Sequence, residues 1–117
     1  MAQQRDDEDD AGEADVPEGA AVFPLIPPEL GVHPLLLAVL HTIVFLDGSE
    51  ENIVQPDAAH EALEYLATYL QRLSGPELAR LREDLESLQG YARQEHWDKQ
   101  QIRLLKDFTT TFGIEPT

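Results

Sequence analysis

Between Phe45 and Leu66, the stretch FLDGSEENIVQPDAAHEALEYL carries Asp47, Glu50, Glu51, Asp57, Glu61 and Glu64 and no Lys or Arg; the next base is Arg72. Carboxylates gathered in this way can hold a cation, share a proton in acid/base chemistry, or steer a basic partner. For calcium, Asp47 could open a helix–loop–helix site, with Ser49 and Glu51 at the third and fifth loop positions. The sixth position, which needs glycine for its turn, holds Asn52, and the twelfth, which needs a bidentate Glu, holds Ala58. The EF-hand pattern therefore fails at two informative places. His60 and Glu64 share a helical face at i and i+4, but a zinc site needs a third and usually a fourth ligand. His33, His41 and His96 are scattered along the chain and supply no obvious one. A solvated helix face is the plainer reading of the pair.

Covalent catalysis needs a nucleophile beside a base. Of the three serines, Ser74 is placed to cap a helix, and Ser49 and Ser87 have no histidine near them in sequence. There is no cysteine, so thiol chemistry, disulfides and thiolate metal sites are excluded. No Gly-rich phosphate loop or paired-carboxylate motif appears. No catalytic residue, metal ligand or cofactor is assigned.

The elements that must carry the acidic stretch are helices. Pro34, a favoured first helical residue, opens helix one, which runs to Asp47-Gly48 through the nearly uniform apolar run LLLAVLHTIVFL. Such a helix needs neighbours on several sides. The expectation is that it lies enclosed within a monomer as the central element of the core, with His41 as a core or boundary residue. Helix two starts near Pro56-Asp57 and is expected to reach Leu73, with Ala59, Leu63, Leu66, Leu70 and Leu73 on one face. Helix three opens at Ser74, with Glu77 completing a capping box and Leu73/Leu78 a hydrophobic staple; Leu78, Leu81, Leu85, Leu88 and Ala92 form its stripe. Helix four repeats the device with Asp98 and Gln101, and with Trp97 and Ile102. Its inward positions are Ile102, Leu105, Phe108 and Phe112, and Gly113 suits a left-handed stop. No strand-like alternation appears. The stripes are too short for a coiled coil, and the chain reads as all-α, a small four-helix bundle-like domain over 34–117.

Two segments precede it. Residues 1–20 hold eight acids and one base, lack aromatic residues, and are expected to form a disordered acidic tail. Residues 21–33 carry Pro24, Pro27 and Pro28 and read as an extended apolar strap on the bundle. Pro24-Leu25-Ile26-Pro27 also matches a PxxP docking pattern; packing of Val22, Phe23, Leu25 and Ile26 on the domain is the preferred account.

The net charge of −15 argues against nucleic-acid binding, which needs clustered Lys and Arg. The most apolar run, 34–46, is too short to span a membrane, and the acidic N-terminus is unlike a secretory signal, so a cytoplasmic location is expected. Negative charge is also uneven. Residues 72–117 hold eight acids against seven bases, whereas 47–64 hold six acids and none. The helix dipole favours Asp57 and to some extent Glu61, but does not require Glu50, Glu51 and Glu64.

The stretch PDAAHEALEYLATYLQRLSGPELARLREDLESL resembles short, uncharacterised bacterial helical proteins with a P-D-A-A-x-x-A-L-E pattern. The resemblance covers 45–114 and implies no activity or site residue. In size, helix content and acidity the chain is also similar to bacterial immunity proteins that block basic nuclease toxins, without a shared motif. The leading expectation is a non-enzymatic acidic interaction module, an inhibitor or immunity-type antagonist of a basic protein, binding through Asp47, Glu50, Glu51, Asp57, Glu61 and Glu64. The alternative is a structural protein that self-associates through helix one. A distant third is a metal-dependent enzyme using His60 and Glu64.

Overall fold

The computed structural model describes residues 17–114. Among these the protein is all-α, with helices α1 (Pro34–Gly48), α2 (Pro56–Leu70), α3 (Gly75–Gln94), α4 (Lys99–Lys106) and α5 (Phe108–Thr111), and a single 3₁₀ turn at Pro28–Leu30. α1 packs along α2, and α3 along α4. One core joins the two pairs: Leu36, Leu40 and Ile43 of α1 meet Leu78, Leu81, Leu85, Leu88 and Ala92 of α3, closed by Leu105, Phe108, Phe112 and Ile114.

The helix ends obey local chemistry, with departures from the pattern expected. At the start of α4 Asp98 caps, but among the described residues the Gln101 side chain makes no hydrogen bond that would close the expected box. The side chains of His33, Gln55 and Asp98 accept hydrogen bonds from Leu35, Ala58 and Gln100 N–H at 3.1, 2.9 and 2.7 Å, capping α1, α2 and α4. Ser74 stands at the N-cap of α3, yet its hydroxyl makes no cap bond. Gly75 begins that helix at φ +58°, a left-handed value that glycine adopts without strain. The staple survives without the box, since Leu78 is buried and Leu73 packs on the core. α2 stops at Leu70, three residues short of Leu73, in a turn where Arg72 and Leu73 N–H donate to Tyr69 and Leu70 O. The expected fourth helix is broken at Asp107 (φ −98°, ψ 7°) into α4 and α5, which swings Phe108 and Phe112 into the core as a tilted pair 5.1 Å apart.

α3 and α5 end alike. Trp97 N–H donates to Ala92 O and His96 N–H to Arg93 O; likewise Ile114 N–H donates to Thr109 O and Gly113 N–H to Thr110 O. Both are Schellman stops, which need a left-handed residue. Gly113 (φ +68°) fills that place as its sequence position suggested, whereas in α3 it is filled by His96 (φ +60°).

The strap lies antiparallel to α1. Phe23 is its anchor, 0% exposed, with its ring edge-on to His41 at 5.2 Å and to Trp97 at 5.3 Å. Ile26 packs on the core, while Leu25 points outward at 87% exposure. Of the four strap residues expected to pack on the domain, Phe23 and Ile26 do so, whereas Val22 (51%) and Leu25 face solvent. The acidic tail expected over 1–20 lies outside the described residues as far as residue 16. Residues 17–20 belong to the folded unit, in a turn where Ala20 N–H donates to Pro17 O at 3.1 Å. Helix one is not enclosed: Leu35 is 70% and Phe45 41% exposed, because the strap and α2 leave part of its circumference open.

Candidate partner-binding site

The acidic stretch forms the corner between α1 and α2. Asp47 is in the last turn of α1, where a carboxylate meets the negative end of the helix dipole. Helix stability does not ask for an acid there. Glu50 O accepts from Ile53 N–H at 2.9 Å and from Val54 N–H at 3.0 Å, which turns the chain toward α2. Asp57 falls in the first turn of α2, where the dipole favours it, and Glu61 and Glu64 follow along the same helix.

The strap stitches this corner in place. Glu50 N–H donates to Gly19 O at 2.8 Å, and Ala21 N–H donates to the Ser49 hydroxyl at 2.9 Å. Gly19 is favoured there by its φ of +94°, which side chains rarely adopt; a Cβ would also come 2.9 Å from the exposed Glu50 carboxylate, which is free to move aside.

All six carboxylates are exposed: Asp47 in the last turn of α1, Glu50 and Glu51 on the loop, and Asp57, Glu61 and Glu64 along the first three turns of α2. His60 Nε2 lies 3.1 Å from Glu64 Oε2, an exposed i,i+4 contact worth little to stability. Among the described residues no three His, Asp or Glu side chains are grouped so as to hold a metal ion. Beside the carboxylates is a cavity of about 310 Å³ whose floor is Leu46, Val54 and Leu63 and whose rim includes Asp47, Ser49 and His60. A surface of this kind can accept cationic side chains, with aliphatic stems on the floor and charged heads at the rim.

Two features were not expected from the sequence. The first is a polar clasp on α3. Asp84 is buried; its carboxylate accepts from His33 N–H at 3.0 Å and from Arg80 Nε at 3.0 Å, while Arg80 Nη2 donates to Gly31 O at 2.9 Å. It fixes the end of the strap and the start of α1 against α3. Its signal was present as an i,i+4 Arg–Asp pair with the acid on an otherwise apolar stripe. The second is an apolar groove of about 440 Å³ between the start of α1, the end of α2 and the start of α3. No local pattern could show it, since its walls come from three elements.

The histidines have placements of their own. His33 caps α1, His41 packs on Phe23, His60 pairs with Glu64, and His96 ends α3. Burial without a polar partner pushes the His41 pKa below its ordinary value. Among the described residues no helix is long and apolar enough to cross a membrane. Comparison with protein-family models, curated proteins and solved structures finds no match for this chain.

Proposed function

We propose that this protein is a non-enzymatic, cytoplasmic interaction module that binds a basic protein surface through the α1–α2 corner, in the manner of an inhibitor or immunity-type antagonist. The observation that carries this reading is the corner itself. Asp47, Glu50, Glu51, Asp57, Glu61 and Glu64 are all exposed and have no Lys or Arg interleaved; the loop among them is tied down at Ser49 and Glu50, and the last three stand on α2. Asp47 stands where the helix dipole opposes it, so its presence favours a role outside the fold. A negative surface held rigidly speeds encounter with a cationic partner and sets its orientation.

The test uses a lysine- and arginine-rich helical peptide titrated onto the full chain. A variant with Glu50, Glu51, Glu61 and Glu64 all changed to Gln should bind it about tenfold more weakly, since exposed pairs each contribute a few tenths of a kcal/mol. Its melting temperature should be unchanged, because none of the four side chains is buried. Equal binding by both proteins would reject the corner as the site.

A second reading, self-association through α1, is favoured by the exposure of Leu35 and Phe45 on a helix with no polar face. Large apolar side chains left open on a helix are the usual material of an interface.

A further inference from the structure

The groove lies at the end of the α1–α2 hairpin away from the acidic corner. Leu36, Val39, Leu70, Leu73 and Leu81 line it, and Leu35 stands at its edge, 70% exposed. Its volume of about 440 Å³ is within the range of binding sites, and its lining is almost wholly apolar.

Charge narrows what can cover it. Residues 30–46 contain no Asp, Glu, Lys or Arg, and residues 65–82 hold Arg72, Arg80 and Arg82 against Glu77 alone. Of the charged residues that line the groove, the buried Asp84 is paired with Arg80, so Glu77 is its one unmatched carboxylate, against six at the acidic corner. A basic partner drawn to the acidic corner has no electrostatic reason to choose it. Two copies meeting through their acidic corners would oppose carboxylate to carboxylate, whereas two copies meeting through the groove would not.

We propose that the groove is the contact face of a two-fold symmetric dimer, in which Leu35 of each copy enters the groove of the other. This rests on the self-association reading and gives it a place. A two-fold interface must be self-complementary, and here a protruding Leu and an apolar hollow belong to one patch. The rim charges agree with it. Glu77 and Arg80 are one turn apart on α3 with opposite signs, so an antiparallel approach of two α3 helices sets Glu77 of one copy against Arg80 of the other. Arg80 spends Nε on Asp84 and Nη2 on Gly31, which leaves Nη1 for this contact.

The experiment is sedimentation equilibrium of the full chain at micromolar and submillimolar concentrations. A dimer is expected, and it should tighten as salt is raised, because salt screens the repulsion between two acidic chains. Leu35→Asp should reduce the mass from two chains to one with the melting temperature little changed, as the side chain is mostly in solvent; Leu35→Ser should do so more mildly. Leu25→Asp, at an even more exposed leucine on the strap, should leave the dimer intact. A chain that stays monomeric throughout would overturn both this inference and the self-association reading. A dimer that survives Leu35→Asp but is lost with Phe45→Asp would overturn the groove and keep association through α1. Peptide binding at the acidic corner should be the same in Leu35→Asp, so either proposal can fail alone.

Discussion

Phe23 and Leu25 are two positions apart in one strap, and their fates are opposite. Phe23 is fully buried between His41 and Trp97, while Leu25 stands in solvent. Phe23→Ala should cost about 3–5 kcal/mol in urea unfolding, the range for emptying an aromatic core site. Leu25→Ala should stay within about 0.5 kcal/mol. His41 adds a pH dependence. Its pKa is lowered by burial, so the unfolded chain binds the proton more readily than the folded one. The stability associated with neutral His41 is complete above the ordinary histidine value near 6.5 and is lost as pH falls through the lower folded value. The melting temperature should therefore decline on acidification through this range, and His41→Phe should reduce that decline; identical pH profiles for the two proteins would contradict it. At His96 the backbone, not the ring, is at issue. A left-handed non-glycine residue costs about 1–2 kcal/mol, partly matched by the entropy that glycine loses on folding. His96→Gly should raise stability by about 0.5–1 kcal/mol on these figures, read as a higher urea midpoint with the same slope.

At the scale of elements, the clasp on α3 and the interior of α1 make different demands. Asp84→Ala would leave His33 N–H without its acceptor and release Arg80, a loss of about 1–3 kcal/mol for an unpaired buried group. Asp84→Asn retains an acceptor and should lose less. If the two variants melt together, the clasp does not hold the strap to α3. Leu40 is fully buried at the centre of α1, so Leu40→Ala should cost about 2–5 kcal/mol. Such changes separate the buried side of α1 from its open one, where Leu35, 70% exposed, costs the fold little to alter.

For the molecule as a whole, charge and apolar surface are divided between two ends of one hairpin. Carboxylates gather where the α1–α2 loop meets the strap, and the groove opens where the hairpin meets α3. The proposed contacts at the two ends should respond to salt with opposite signs. Added salt weakens capture of a basic peptide by screening attraction, and tightens the dimer by screening repulsion. Measuring both on one preparation tests the division directly. If both weaken together, the Glu77–Arg80 pairs across the rim outweigh both the apolar contact and the relief of repulsion, and the apolar account of the dimer fails.

What the sequence by itself determined was what neighbours within a few residues decide. Helical periodicity placed the stripe Leu78, Leu81, Leu85, Leu88 and Ala92, all buried; Pro34 and Pro56 marked helix starts, and Gly113 a left-handed stop. The same pattern placed the six carboxylates at the end of α1, on the loop after it and along the first turns of α2, and left their purpose open. Tertiary structure decided what depends on distant partners. Asp84 is an acid on an apolar stripe until the His33 backbone and Arg80 meet it from either side. The break at Asp107 became visible only once Phe108 and Phe112 had a core to enter, since helical spacing alone runs straight through it. The exposure of Leu35 was hidden for the same reason. An apolar run states that burial is favourable, while the number of neighbours available to bury it is a property of the assembled elements, and here they leave one side open.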